Sequence, residues 1–139
     1  MFDHCLYFNT AALARRLDRE WALAYKPFGL TTPQGFMLRA VLARPGRLPS
    51  ELADDLEIAR PTATRALDAL QEKGLIHRQV RSADGRQTAI APTASAIEMG
   101  RGLNEASAEV SRRLKHVLGE AGFAETVLRV RDTRSALRA

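Results

Sequence analysis

The sequence predicts a mainly α-helical fold carrying one small β-hairpin, and three observations point to it. Over most of the chain apolar residues recur at three- and four-residue intervals, the signature of helices with one buried face. Between residues 76 and 91 the pattern changes to two short runs, IleHisArgGlnValArg and GlnThrAlaIleAla, separated by SerAlaAspGlyArg. Proline and glycine then punctuate the chain where helices are expected to start and stop.

Taken in order, Leu6, Leu13, Leu17, Trp21, Ala24 and Phe28 predict an amphipathic helix over residues 5–25, ended by the LysProPheGly turn. Thr32 followed by Pro33 offers an N-cap and a first-turn proline for a second helix. Its apolar side is Phe36, Met37, Ala40 and Val41, and it stops at ArgProGlyArg. Pro49 opens a third, short helix whose Leu52, Ala53 and Leu56 face inward. A brief link leads to a fourth helix beginning at Arg60. Pro61 suits its first turn, Gly74 suits a left-handed cap after it, and Ala63, Ala66, Leu67 and Leu70 share one side.

In the hairpin, Asp84 and Gly85 form a dipeptide favoured in tight turns, with Arg78, Arg81 and Arg86 beside or within it. Pro92 and Thr93 precede a long helix marked by Leu103, Ala106, Val110, Leu114 and Val117. GlyGlu and AlaGly near 119–122 break it, and a last helix carries Phe123, Val127, Val130 and Leu137. The chain shows no internal repeat and no linker long enough to separate domains. At 139 residues it reads as one domain able to bury roughly two thirds of its unfolded surface.

Charge narrows the function. The formal net charge is +5, which favours a polyanionic partner. The excess is local: residues 60–86 hold Arg60, Arg65, Lys73, Arg78, Arg81 and Arg86, whereas Glu51, Asp54, Asp55 and Glu57 crowd the preceding segment. A positioned contact with nucleic acid fits this distribution better than diffuse adsorption on a membrane. A helix sized for a DNA major groove, followed by a basic hairpin that reaches along the backbone, is the pattern of a winged helix. The first helix and the last two, far apart in sequence and all striped with apolar residues, suit pairing with the same helices of a second subunit, because DNA sites are commonly read by two-fold dimers.

At this level of detail the chain resembles the MarR family of bacterial transcription regulators along nearly its whole length. The resemblance rests on GlyLeuThrThrProGln at 29–34, SerGluLeuAlaAspAspLeu at 50–56, ProThrAlaThrArgAlaLeuAspAlaLeuGlnGluLysGlyLeuIle at 61–76 and ArgSerAlaAspGlyArg at 81–86. It implies a single domain over 1–139, with a winged-helix DNA-binding lobe at 30–92 and dimerisation helices at 1–29 and 93–139. It also implies an obligate homodimer on a pseudo-palindromic operator of double-stranded DNA, acting as a repressor released by a small ligand or by oxidation. Two positions depart from the family. Pro92, Thr93 and Ala96 replace its usual LeuThr and following glycine, and the wing reads AspGlyArg in place of AspArgArg.

Carried over by position, the DNA-contacting set is Ser50, Pro61, Thr62, Thr64, Arg65, Arg78, Arg81, Asp84 and Arg86. Arg65 is the candidate for reading guanine, because its guanidinium donates two hydrogen bonds to O6 and N7. Thr62 and Thr64 flank it, although Thr64 also suits a local cap or packing. Arg86 resembles the family's minor-groove arginine, oriented by Asp84. Arg78, Arg81 and Ser50 are expected on phosphates, which position a protein without specifying sequence.

Cys5 is a candidate for redox sensing near the start of the first helix, but aligning Trp21 and the GlyLeuThr segment with the peroxide-sensing subgroup puts Tyr7 at the sensing position. Trp21, Tyr7, Phe28 and Phe36 are candidates to line an effector pocket, or plain core. The scattered His4, His77 and His116 have no metal-site spacing, and no nucleophile elbow, HisGluXaaXaaHis pair, Walker loop or Rossmann glycine pattern occurs. Neither a metal, a cofactor nor an enzyme is therefore expected. A single cysteine and the lack of a signal-like start or long apolar span suggest the cytoplasm. Two rival readings are a winged helix used for protein contacts, its basic hairpin meeting an acidic partner, and a thiol-dependent redox sensor centred on Cys5.

Overall fold

A computed structural model describes residues 1–81, 83 and 85–138. Helix α1 (Leu6–Tyr25) runs into a single 3-10 turn (Lys26–Phe28), followed by α2 (Thr32–Ala43), α3 (Pro49–Leu56) and α4 (Arg60–Glu72). Strands β1 (Ile76–Val80) and β2 (Thr88–Pro92) come next, then α5 (Ala94–Leu118) and α6 (Glu120–Ala136). The strands pair antiparallel, with Ile76 opposite Pro92 and Val80 opposite Thr88. Beyond the ladder the Arg81 N–H still donates to the Gln87 carbonyl at 2.8 Å, so the expected pairing of 76–81 with 87–91 holds at its outer end.

Local chemistry accounts for most boundaries. Helix α4 ends in a Schellman motif: the Leu75 N–H donates to the Leu70 carbonyl and the Gly74 N–H to that of Gln71, each at 2.9 Å. That geometry requires the left-handed φ of 75° that Gly74 adopts without cost. Helix α2 starts one residue earlier than expected. Its cap is Thr31, not Thr32, because a reciprocal box forms in which the Gln34 N–H donates to Thr31 Oγ1 and the Thr31 N–H to Gln34 Oε1.

The start of α5 is clean despite its departure from the family pattern. The Thr93 hydroxyl accepts from the Ala96 N–H at 3.3 Å and donates to the Gly74 carbonyl at 2.8 Å, tying the helix to the end of α4. The break after α5 falls at Gly119 alone; Gly122 lies inside α6, so the AlaGly pair does not interrupt the chain.

The core lies between α2, α3, α4 and the hairpin, where Met37, Leu38, Leu52, Leu67, Leu70, Ile76 and Ile90 are buried. Tyr25 of α1 and Leu103 of α5 complete it from the other side. The four positions expected to face inward on α4, namely Ala63, Ala66, Leu67 and Leu70, are its buried residues. Helix α6, by contrast, has no buried residue.

A polar hub joins α1, α2 and α5. Ser107 Oγ accepts from the Trp21 indole N–H at 2.9 Å and from Arg39 Nη1 at 3.0 Å. Arg39 also donates to the Tyr25 hydroxyl at 3.0 Å and to Asn104 Oδ1 at 2.7 Å, and stacks over Phe36. Its charge is thus met by neutral oxygens and an aromatic face.

Candidate nucleic-acid interface

Helices α3 and α4 are joined by residues 57–59, and this tight link makes Glu57 adopt a left-handed φ of 52°. For a residue with a Cβ that conformation costs energy, but it lets the Ile58 N–H close on the Ala53 carbonyl at 3.0 Å. The result is a helix-turn-helix whose second helix is anchored by its apolar side. Its opposite side carries Thr64, Arg65 and Asp68, all exposed, with Thr62 half-buried beside them.

Within that face Arg65 Nη2 donates to Thr62 Oγ1 at 3.3 Å, while Thr64 Oγ1 donates back to the Arg60 carbonyl at 3.0 Å. Thr64 is thus tied to its own helix by a bond one turn back. Pro61 is exposed in the first turn of α4, and Ser50 is half-buried at the second residue of α3. Arg86 is exposed in the wing. Its expected partner Asp84 lies outside the described residues.

The two remaining hairpin arginines already bond within the protein. Arg78 donates to Asp68 Oδ1 at 2.9 Å and to Gln71 Oε1, both on α4. Arg81 Nη1 donates to the Gly46 carbonyl at 3.1 Å.

Sequence reasoning missed two basic residues that hold the lobe together. Arg47 pairs with Asp55 and donates to the Ala40 and Arg44 carbonyls, and its backbone bridges Ile90 as a third, one-residue rung beside β2. Lys73, just past α4, donates to the Gly29 carbonyl at 2.6 Å and to Gln34 Oε1 at 2.8 Å, clamping the end of that helix to the start of α2. A single rung has no periodicity to betray it, and a lysine's partner 44 residues away leaves no local trace. The acidic segment before α4 is partly consumed inside the molecule as well: Asp55 meets Arg47, Glu51 accepts the Leu48 N–H, and Glu57 pairs with Arg134 of α6 at 3.0 Å.

Trp21 and Phe36 line a cleft of about 340 Å³ with Ala14, Leu17, Asp18 and Thr32, between α1 and α2. Tyr7 is not among them; it is exposed and faces a groove shared with Val130 of α6 and Leu137 just past its end. Phe28 instead packs against Gly102 of α5. Cys5 is exposed and caps α1, its Sγ accepting the Phe8 N–H at 3.5 Å.

Fold and surface together define a winged helix-turn-helix protein flanked by long terminal helices. Residues 28–87, the winged-helix segment, match the model of the MarR family. Solved structures extend the likeness to the whole fold. The chain is similar to the S. aureus MepR–DNA complex, at 22% identity and a TM-score of 0.86, over 97% of this chain and 100% of that one. It is similar to the transcriptional regulator SlyA, at 22% identity and a TM-score of 0.85, over 96% and 94% of the two chains. An organohalide-sensing transcriptional regulator in its 2,4-dichlorophenol-bound form is 17% identical, with a TM-score of 0.87 over 99% and 82%. Among curated proteins none matches the sequence significantly.

Proposed function

We propose that the protein is a homodimeric, sequence-specific DNA-binding transcription regulator of an inverted-repeat operator. The observation that carries this reading is the face of α4 formed by exposed Thr64 and Arg65 with half-buried Thr62, set on an anchored helix beside an arginine-rich wing. In this reading Arg65 reads a base edge in the major groove, and Arg86 enters the flanking minor groove. Ser50 and Pro61 lie against the backbone, with the start of α3 turned toward a phosphate. That a MepR chain of the same fold is solved with DNA supports the assignment.

The terminal helices supply the second half of the argument. Val117, Leu118, Val127, Leu128 and Val130 are exposed on α5 and α6, Leu137 just past α6, and Leu6, Tyr7 and Leu13 on α1. So much apolar surface on α6, the end of α5 and the start of α1 suits a second copy. Two lobes held about 34 Å apart reach successive major grooves, and a shift of a few ångströms uncouples them. The Trp21–Phe36 cleft lies where α1 meets the lobe, so a small apolar ligand there would change that spacing and release a repressor. In this reading the protein acts on genomic DNA in the cytoplasm.

Genome-fragment selection with the purified protein at about 150 mM salt, where non-specific phosphate attraction is suppressed, tests the reading. A short inverted repeat is the expected product. Recovery of no common sequence would refute it and turn attention to an acidic protein partner for the basic wing.

A further inference from the structure

Arg78 was expected on a DNA phosphate, yet its surroundings describe a different task. Along β1, Ile76, Arg78 and Val80 share one face of the strand; Ile76 is buried, Arg78 half-buried and Val80 exposed. Arg78 is thus the first side chain beyond the core on the face that looks toward α4. There it holds both Asp68 and Gln71, one turn apart on the recognition helix. N–H groups committed to two partners are not turned outward to an anion.

A two-stranded hairpin has little rigidity of its own. Its base is fixed by Ile76 and Ile90 in the core, and the Gly46 carbonyl holds Arg81. Between base and tip, Arg78 sets the hairpin against α4. The same bond accounts for Asp68. An exposed carboxylate on the outer face of a helix meant for DNA repels phosphate unless a cation neutralises it and gives it a structural purpose.

We propose that Arg78 is a positioning residue: through Asp68 and Gln71 it fixes the angle between wing and recognition helix, so that both grooves are read by one rigid unit. This inference rests on the DNA-binding reading above. In consequence, a displacement of α4 carries the wing with it.

Two exposed-face variants separate this role from a phosphate contact by the sign of their effects. If Arg78 braces the wing, Arg78→Gln and Asp68→Asn each weaken binding to the selected DNA by about three- to tenfold, with the salt dependence unchanged. If Arg78 instead neutralises phosphate, Arg78→Gln lowers the slope of log K against log salt by about 0.9 per site, or about 1.8 for a dimer. Asp68→Asn then tightens binding, because it removes a negative charge and releases the arginine. Tighter binding by Asp68→Asn overturns the proposal.

Hydrogen exchange on the free protein gives an answer without DNA. The brace predicts faster exchange in both variants at the amides of residues 79–81 and 87–89, with the α4 core amides unchanged. Unaltered wing exchange overturns it. A wild-type chain that selects no DNA refutes the DNA-binding reading, and the exchange data then decide separately whether the brace exists.

Discussion

Replacing Gly35 with alanine is expected to destabilise the protein, even though alanine is the better helix former. A Cβ added at Gly35 would sit 2.3 Å from Cδ2, 2.4 Å from Cε2 and 2.8 Å from Cγ of Tyr25, where ordinary contact begins at 3.4 Å. The ring would have to retreat by about 1 Å, and it has nowhere to go. Tyr25 is fully buried, its hydroxyl accepts a bond from Arg39 at 3.0 Å, and its edge meets the Phe36 ring with centroids 5.6 Å apart. Overpacking of this kind costs roughly 1–3 kcal/mol, and a weakened bond to a charged group adds about 1.5 kcal/mol. Better helix propensity returns about 1 kcal/mol.

The net loss is about 1.5–3.5 kcal/mol, a fall in Tm of about 5–12 °C for a chain of this size. Urea and thermal melts at one fixed protomer concentration would measure it, since association shifts apparent stability by mass action. The urea midpoint should fall with the m-value unchanged. A Gly35→Ala protein as stable as wild type would show that α2 and Tyr25 separate freely, and the packing argument would be wrong.

Ser107→Ala removes the shared acceptor of Trp21 and Arg39 and should cost about 1–3 kcal/mol. Because Trp21 is the sole tryptophan, its emission should change too; an unaltered melt and spectrum would show the hydroxyl to be idle. Arg65→Ala and Arg86→Ala should each cost roughly 1–3 kcal/mol of DNA binding. Titrations against base-substituted sites should show relaxed preference only for Arg65→Ala, and unchanged affinity in both would remove these residues from the interface. Val130→Asp, on a helix with no buried residue, should leave the lobe folded but shift sedimentation toward monomer. A variant that sediments like wild type would exclude this part of α6 from the subunit contact.

Helix boundaries were legible because they are written in neighbours. Pro49, Pro61 and Gly74 act through the backbone of their own turns, and the buried stripe of α4 follows directly from its spacing. Thr31 in place of Thr32 is a one-residue error of a kind that capping invites: adjacent threonines offer the same hydroxyl, and only the reply from Gln34 chooses between them. The aromatic residues were harder to place. Trp21 and Phe36 meet in one cleft while Tyr7 faces α6, a difference that depends on how α1 crosses its neighbours.

The sequence by itself determined the order of helices, the position of the hairpin and the concentration of arginine around it, because caps, turns and apolar periodicity are settled within about four residues. Only the tertiary structure decided what each cation does. Of Arg39, Arg47, Lys73 and Arg78, the sequence singled out Arg78 as a phosphate contact and counted Lys73 only as basic charge, yet each of the four holds two elements of the lobe or its supports together. A guanidinium or ammonium group bonds whichever oxygens the fold brings within about 3 Å, and those oxygens come from residues far away in the chain.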